Sequence, residues 1–138
     1  MKDKSGQNNQ VTIIIDEELY SKNLVLIFSV FFSTLVGMAL LLLNFHRLGN
    51  RTGLLHVFTF GVIYTIAGIT LLYLTEGNTN IAILINVGGA FILTGYFWDK
   101  HIGKNAKHPT KSWVWPFIVV TVMVFGYILL VYNTNLIS

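Results

Sequence analysis

Four stretches of this chain, 24–43, 55–75, 81–98 and 113–132, contain no Asp, Glu, Lys or Arg. They are 20, 21, 18 and 20 residues long and together make up 79 of the 138 residues. At the chain's overall charge content of 11%, random placement would put about nine charges there. An uncharged apolar run of about 18 residues or more is long enough to cross the hydrocarbon core of a bilayer. The pattern predicts an all-α fold, a four-span transmembrane helical bundle. It excludes soluble, disordered, collagenous and disulfide-stapled classes. Residues 1–15 read as a polar tail followed by a short apolar segment, Val11 to Ile15, and 16–138 as a single four-helix transmembrane domain.

Charge divides by segment. Residues 1–23 are net −1, 44–54 net +2, 76–80 net −1 and 99–112 net +3. Short-loop Lys and Arg counts set membrane orientation. With an even number of spans, 44–54 and 99–112 share one face, so the expectation puts both loops in the cytoplasm and both termini outside. Lys2, Lys4 and Lys22 in the tail oppose that placement. The isoelectric point near 9.3 does not point to nucleic acid, because the basic residues are few and split between two membrane-proximal loops. Anionic lipid headgroups are the simpler counterpart. The absence of cysteine closes disulfide exchange, thiolate metal sites and iron–sulfur ligation. No apolar run follows the first lysines until Leu24, too late for a cleaved signal peptide.

Cap chemistry sets the expected boundaries. Asp16 with Glu17 and Glu18 reads as the start of the first helix, near residue 17. Gly49, Asn50 and Gly53 should break it, and Glu76 to Asn80 reads as a tight turn between the second and third helices. Gly103 is a plausible C-cap and Ser112 a plausible N-cap. A shift of 54 residues lays Arg47-Leu48-Gly49-Asn50 over His101-Ile102-Gly103-Lys104, as in a tandem repeat of two helix–loop–helix halves.

Leu19-Tyr20-Ser21-Lys22, Asn44-Phe45-His46-Arg47-Leu48-Gly49 and the segment from Trp98 to Lys104 carry a family likeness. Across about 19–117 the chain resembles a group of small uncharacterised four-helix bacterial inner-membrane proteins. The resemblance implies a four-span fold and a bacterial inner membrane, and it carries over no catalytic residue.

No ionisable Asp, Glu, Lys or Arg lies inside a predicted span. Intramembrane charges usually mark proton or ion paths, so their absence argues against an exporter with a membrane carboxylate or a retinal-binding lysine. Asn86 is the most polar residue of a span and reads as interhelical glue, or else as part of an uncharged polar path with Thr94 and Tyr96. Ser29, Ser33 and Gly37 form a small-residue stripe on the first predicted helix, and Gly61, Thr65 and Gly68 one on the second. Arg47, Arg51, Lys104 and Lys107, with Trp98, Trp113 and Trp115, are candidates for lipid-headgroup contact.

His46, His56, His101 and His108 all fall at the basic end, and His46 and His101 would have to converge to ligate a metal or haem. They lack ligand spacing within a helix, so no metal and no cofactor is expected. No Ser sits beside a base and an acid, so no catalytic residue is expected. The leading expectation is a non-enzymatic accessory or oligomerising subunit. Its partners would be membrane lipids and a homo-oligomer or larger membrane complex. The alternatives are a small transporter or channel and a histidine-based metal or haem carrier.

Overall fold

A computed structural model of the chain describes residues 12–137, with side chains described through Thr134. The polar tail 1–10 lies outside the described residues. The fold is all-helical: α1 spans Lys22–Phe31, α2 Thr34–Arg47, α3 Arg51–Leu74, α4 Thr79–Ile92 and α5 Val114–Ile137, and α4 continues as a π-helix over Leu93–Gly103. Three of these units are long and apolar enough to cross a membrane: Arg51–Leu74, Thr79–Gly103 and Val114–Thr134.

The first apolar run is the exception. Residues 24–43 do not form one helix. They break at Phe32-Ser33 into helices of 10 and 14 residues, rising only about 15 and 21 Å at 1.5 Å per residue. Ser33 is extended, and its hydroxyl accepts from the Val36 amide, capping α2. The chain then runs back along itself. A Cβ on Gly37 would meet the Ser29 side chain and the Val25 carbonyl of α1. Asn44 near the end of α2 reaches Tyr20 before the start of α1, and the Arg47 guanidinium donates to the Glu18 carbonyl at 2.8 Å. α1 and α2 are therefore an antiparallel hairpin. The stripe Ser29, Ser33, Gly37 is not one helix face: Ser29 and Gly37 face each other across the hairpin and Ser33 caps its turn.

This hairpin corrects two further expectations. Asp16 caps no helix; Ser21 does, accepting from the Leu24 amide at 3.1 Å. Ahead of it the chain is extended and pairs with the loop after the π-helix. The Lys107 amide donates to the Ile13 carbonyl at 2.9 Å, and the Ile15 and Leu19 amides donate to the Lys107 and Pro109 carbonyls at 2.9 and 3.0 Å. The N-terminal segment thus lies at the same end of the bundle as 44–54 and 99–112, not at the opposite end as an even-span topology requires. Nine Lys and Arg occur in the sequence. Lys2 and Lys4 fall outside the described residues; the other seven gather at this end.

The helix boundaries follow local chemistry. Gly49, at φ +62°, takes the left-handed conformation that turns α2 into α3. Asn50, expected only to interrupt, is the N-cap of α3, its side-chain oxygen accepting from the Gly53 amide at 2.8 Å. Asn78 caps α4 the same way through the Asn80 amide. Gly103 ends the π-helix at φ +114°, and the Ser112 hydroxyl accepts from the Val114 amide at the start of α5.

The core forms where the hairpin packs against the π-helix. Leu93, Thr94, Phe97, Trp98 and Ile102 are all buried. At the α-helical 100° per residue, Ile102 would face away from Leu93. The wider i→i+5 winding, about 4.4 residues per turn, brings both onto one face. They meet Val25, Phe28, Leu41 and Phe45 of the hairpin. α5 joins this core through Val120; Pro116 is also buried and Thr121 half-buried, and the other described side chains of α5 are exposed. The two halves joined by the supposed repeat differ in build: a 14-residue α2 leads into the first basic loop and a continuous 25-residue helix into the second.

Candidate functional site

The bundle has three polar centres: the hairpin turn, the clamp at the hairpin base and the histidine end. At the turn, the Asn86 side-chain oxygen of α4 accepts from the Thr34 backbone amide at 3.2 Å. That amide begins α2 and has no partner within its own helix, so Asn86 completes the helix from a neighbouring one. The Thr34 hydroxyl meets the Ile85 and Asn86 carbonyls at 3.5 and 3.4 Å. Gly89 admits this side chain: a Cβ there would lie 2.3 Å from the Thr34 hydroxyl. Gly61 packs against Met38 and Gly68 against Ile85. Ser33, Thr65 and Asn86 line a small cavity of about 120 Å³ beside the turn.

The second centre was not singled out from the sequence. Asn44 is wholly buried. Its side-chain oxygen accepts from the Tyr20 amide at 2.8 Å, and its nitrogen donates to the Tyr20 carbonyl at 2.8 Å. One amide thus replaces a strand partner and fixes the extended segment to the end of α2. Lys22 and Asp99 add an ion pair of 2.6 Å between α1 and the π-helix, about a quarter to a third exposed. An apolar run ending in a single Asn was the available signal.

The approach of His46 to His101 that the metal or haem alternative requires is not what the structure shows. His46 is exposed beside Gly49 and Arg51, and His108 stacks near Trp98 at 5.7 Å between ring centres. His56, rather than His46, meets His101: His56 Nδ1 and His101 Nε2 lie 3.3 Å apart. The Phe45 ring stands edge-on to His101 at 5.5 Å. One neutral imidazole can donate to the other across that gap. Among the described residues no three His, Asp or Glu side chains gather as a metal-holding group. We predict substoichiometric metal in protein purified without chelator. Stoichiometric metal, lost in the His56→Ala/His101→Ala protein, would reverse that prediction.

Of the residues expected at lipid headgroups, Trp113 and Trp115 are exposed, as are Arg51, Lys104 and Lys107, while Arg47 is half-buried. Trp98 is not available to lipid from its place in the core, 3% exposed; the π-helical winding turns it inward. Ser29 donates to the Val25 carbonyl at 2.7 Å and Thr94 to the Ala90 carbonyl at 2.8 Å. Among the described residues no buried side-chain polar atom lacks a hydrogen-bond partner. No protein-family model, curated protein or solved structure matches this chain. The fold and these centres define a small all-helical chain with three membrane-length apolar helices and one short helical hairpin.

Proposed function

We propose that the protein is a non-enzymatic bacterial inner-membrane subunit, acting through helix contacts in a homo-oligomer or a larger membrane complex. The observation that carries this proposal is the use of its polar groups. The buried side chains of Ser29, Thr34, Asn44 and Thr94 are each held by backbone partners. No acid or base is among them, and each of the three hydroxyls donates to a main-chain carbonyl. The interior is built for cohesion.

In this proposal α3, α4 with its π-helical continuation, and α5 are the spans, and α1–α2 is a re-entrant hairpin. Legs of about 15 and 21 Å are short of a hydrocarbon core about 30 Å thick. Non-helical backbone at membrane depth is tolerated where protein buries and pairs it, and Asn86 does so for Thr34. An odd number of spans puts the N-terminal segment and both basic loops on one face and the end of α5 on the other. The seven Lys and Arg among the described residues then lie on a single face, which the positive-inside rule assigns to the cytoplasm. Lys22 no longer opposes that orientation. The particle mass in mild detergent tests the assembly, with a stable multiple of 15.5 kDa expected for a homo-oligomer and a strictly monomeric particle that captures no other membrane protein against it.

The cavity shared by Ser33, Thr65 and Asn86 supports a second reading, a transporter or channel whose uncharged path passes the hairpin turn. Asn86→Leu separates the two. Its expected cost is about 1–3 kcal/mol, the penalty for orphaning the Thr34 amide, read as a lower unfolding temperature in detergent. If the variant kept its stability but lost a measured solute flux in proteoliposomes, the transport reading would replace the structural one.

A further inference from the structure

We infer that the groove between α2 and α5 holds one acyl chain of an anionic phospholipid, with the headgroup phosphate beside Arg47 and Lys111. The groove encloses about 480 Å³ and is lined by apolar side chains of α2 and α5, with Tyr20. That volume lies within the range of about 300–1,000 Å³ typical of small-ligand sites.

On α2 the lining runs from Leu35 to Leu43 and on α5 from Trp115 to Met123, about 12 Å in each helix at 1.5 Å per residue. An elongated apolar groove of that length suits an acyl chain laid along it.

Charge selects the headgroup. Tyr20 lies at the basic end of the bundle, and two cations stand over its ring: the Arg47 guanidinium carbon at 5.6 Å and Lys111 Nζ at 5.7 Å from the centroid. Arg47 spends one donor on the Glu18 carbonyl out of the five a guanidinium carries. The Lys111 backbone amide is anchored on the Leu19 carbonyl at 2.9 Å, and the residue is half-buried. Among the described residues the ion pair is Lys22 with Asp99; neither Arg47 nor Lys111 is held in one. Basic groups between helices on the cytoplasmic face are the sites that hold anionic headgroups. Exposed Trp115 borders the same groove, at the depth where indole rings favour the headgroup region.

The test is a titration of the detergent-solubilised full chain, with bound lipid counted by native mass spectrometry. The probes are phosphatidylglycerol, phosphatidylcholine with the same acyl chains, and inorganic phosphate. We expect one saturable phosphatidylglycerol per chain, bound at least tenfold more tightly than phosphatidylcholine. Lys111→Gln keeps the backbone link to Leu19 and should weaken binding about fivefold, the effect of one near-surface cation. Ala39→Phe fills the groove from an exposed position of α2 and should abolish binding while helicity by circular dichroism is unchanged. Equal affinity for the two lipids, saturation by inorganic phosphate as tight as by phosphatidylglycerol, or undiminished binding in folded Ala39→Phe protein would each overturn the inference.

Discussion

Replacing Asn44 by Leu releases the N-terminal segment from the bundle. The Leu side chain fits an apolar neighbourhood, but it offers nothing to the Tyr20 amide and carbonyl that Asn44 pairs at 2.8 Å each. Both groups are then buried without a partner, at about 1–3 kcal/mol apiece. Detachment lets water reach them, and it also breaks the pairing of Ile15 and Leu19 with 107–109. The expected result is a large fall in unfolding temperature together with rapid proteolysis within 12–21, in detergent where the parent resists cleavage. Asn44→Asp keeps the acceptor but sets a buried carboxylate against the Tyr20 carbonyl, so it should be destabilised as well. An Asn44→Leu protein with unchanged stability and unchanged protection would contradict the clamp.

Gly37→Leu should separate the hairpin legs. Even a methyl at this position would lie 1.6 Å from the Ser29 hydroxyl and 2.9 Å from the Val25 carbonyl. The first neighbour is a side chain that can rotate, but the second is backbone within α1. Overpacking of a tight contact typically costs about 1–3 kcal/mol, and the larger Leu side chain should stand at or above the top of that range. The measurement is thermal unfolding in detergent, and Gly37→Ala should likewise destabilise the hairpin, with Ser29→Gly/Gly37→Ala its partial rescue. Removing the Ser29 side chain takes away two of the three close neighbours and leaves the Val25 carbonyl. If Gly37→Leu were as stable as the parent, the legs would not pack at this point.

Most of the long helices could be read directly from the residues. Charge-free runs bounded by the 76–80 turn, Gly103 and Ser112 describe α3, α4 and α5 because each boundary has one local job, and backbone geometry then follows. The hairpin was hidden for a different reason. A 20-residue apolar run has the length of a span, and Phe32-Ser33 breaks it without the Gly or Pro that usually marks a turn. What makes the break affordable lies elsewhere in the chain: Asn86 supplies the missing acceptor and Gly89 makes room for Thr34. Such a partner becomes visible only in three dimensions. Lys22 was the sequence's own signal, since its conflict with a four-span orientation vanishes when the first run turns back. Ile102 shows a second limit. An α-helical period puts it opposite Leu93, and the π-helical winding puts them on the same face of the core. Likewise the pairing of His56 with His101 depends on how α3 meets the π-helix, which no spacing along the chain reveals.

If α1–α2 enters and leaves on one face, the N-terminal segment and the two basic loops share a side. The chain contains no cysteine, and single cysteines can therefore be placed at Glu17, Asn50, Asn78, Asn105 and Asn133 in an otherwise unlabelled background. Intact cells are treated with a membrane-impermeant maleimide, and then again after the membrane is opened. Positions 78 and 133 should react from outside, whereas 17, 50 and 105 should react only after opening. Labelling of position 17 from outside together with 78, while 50 and 105 stay protected, would make residues 24–43 a true span and contradict the hairpin.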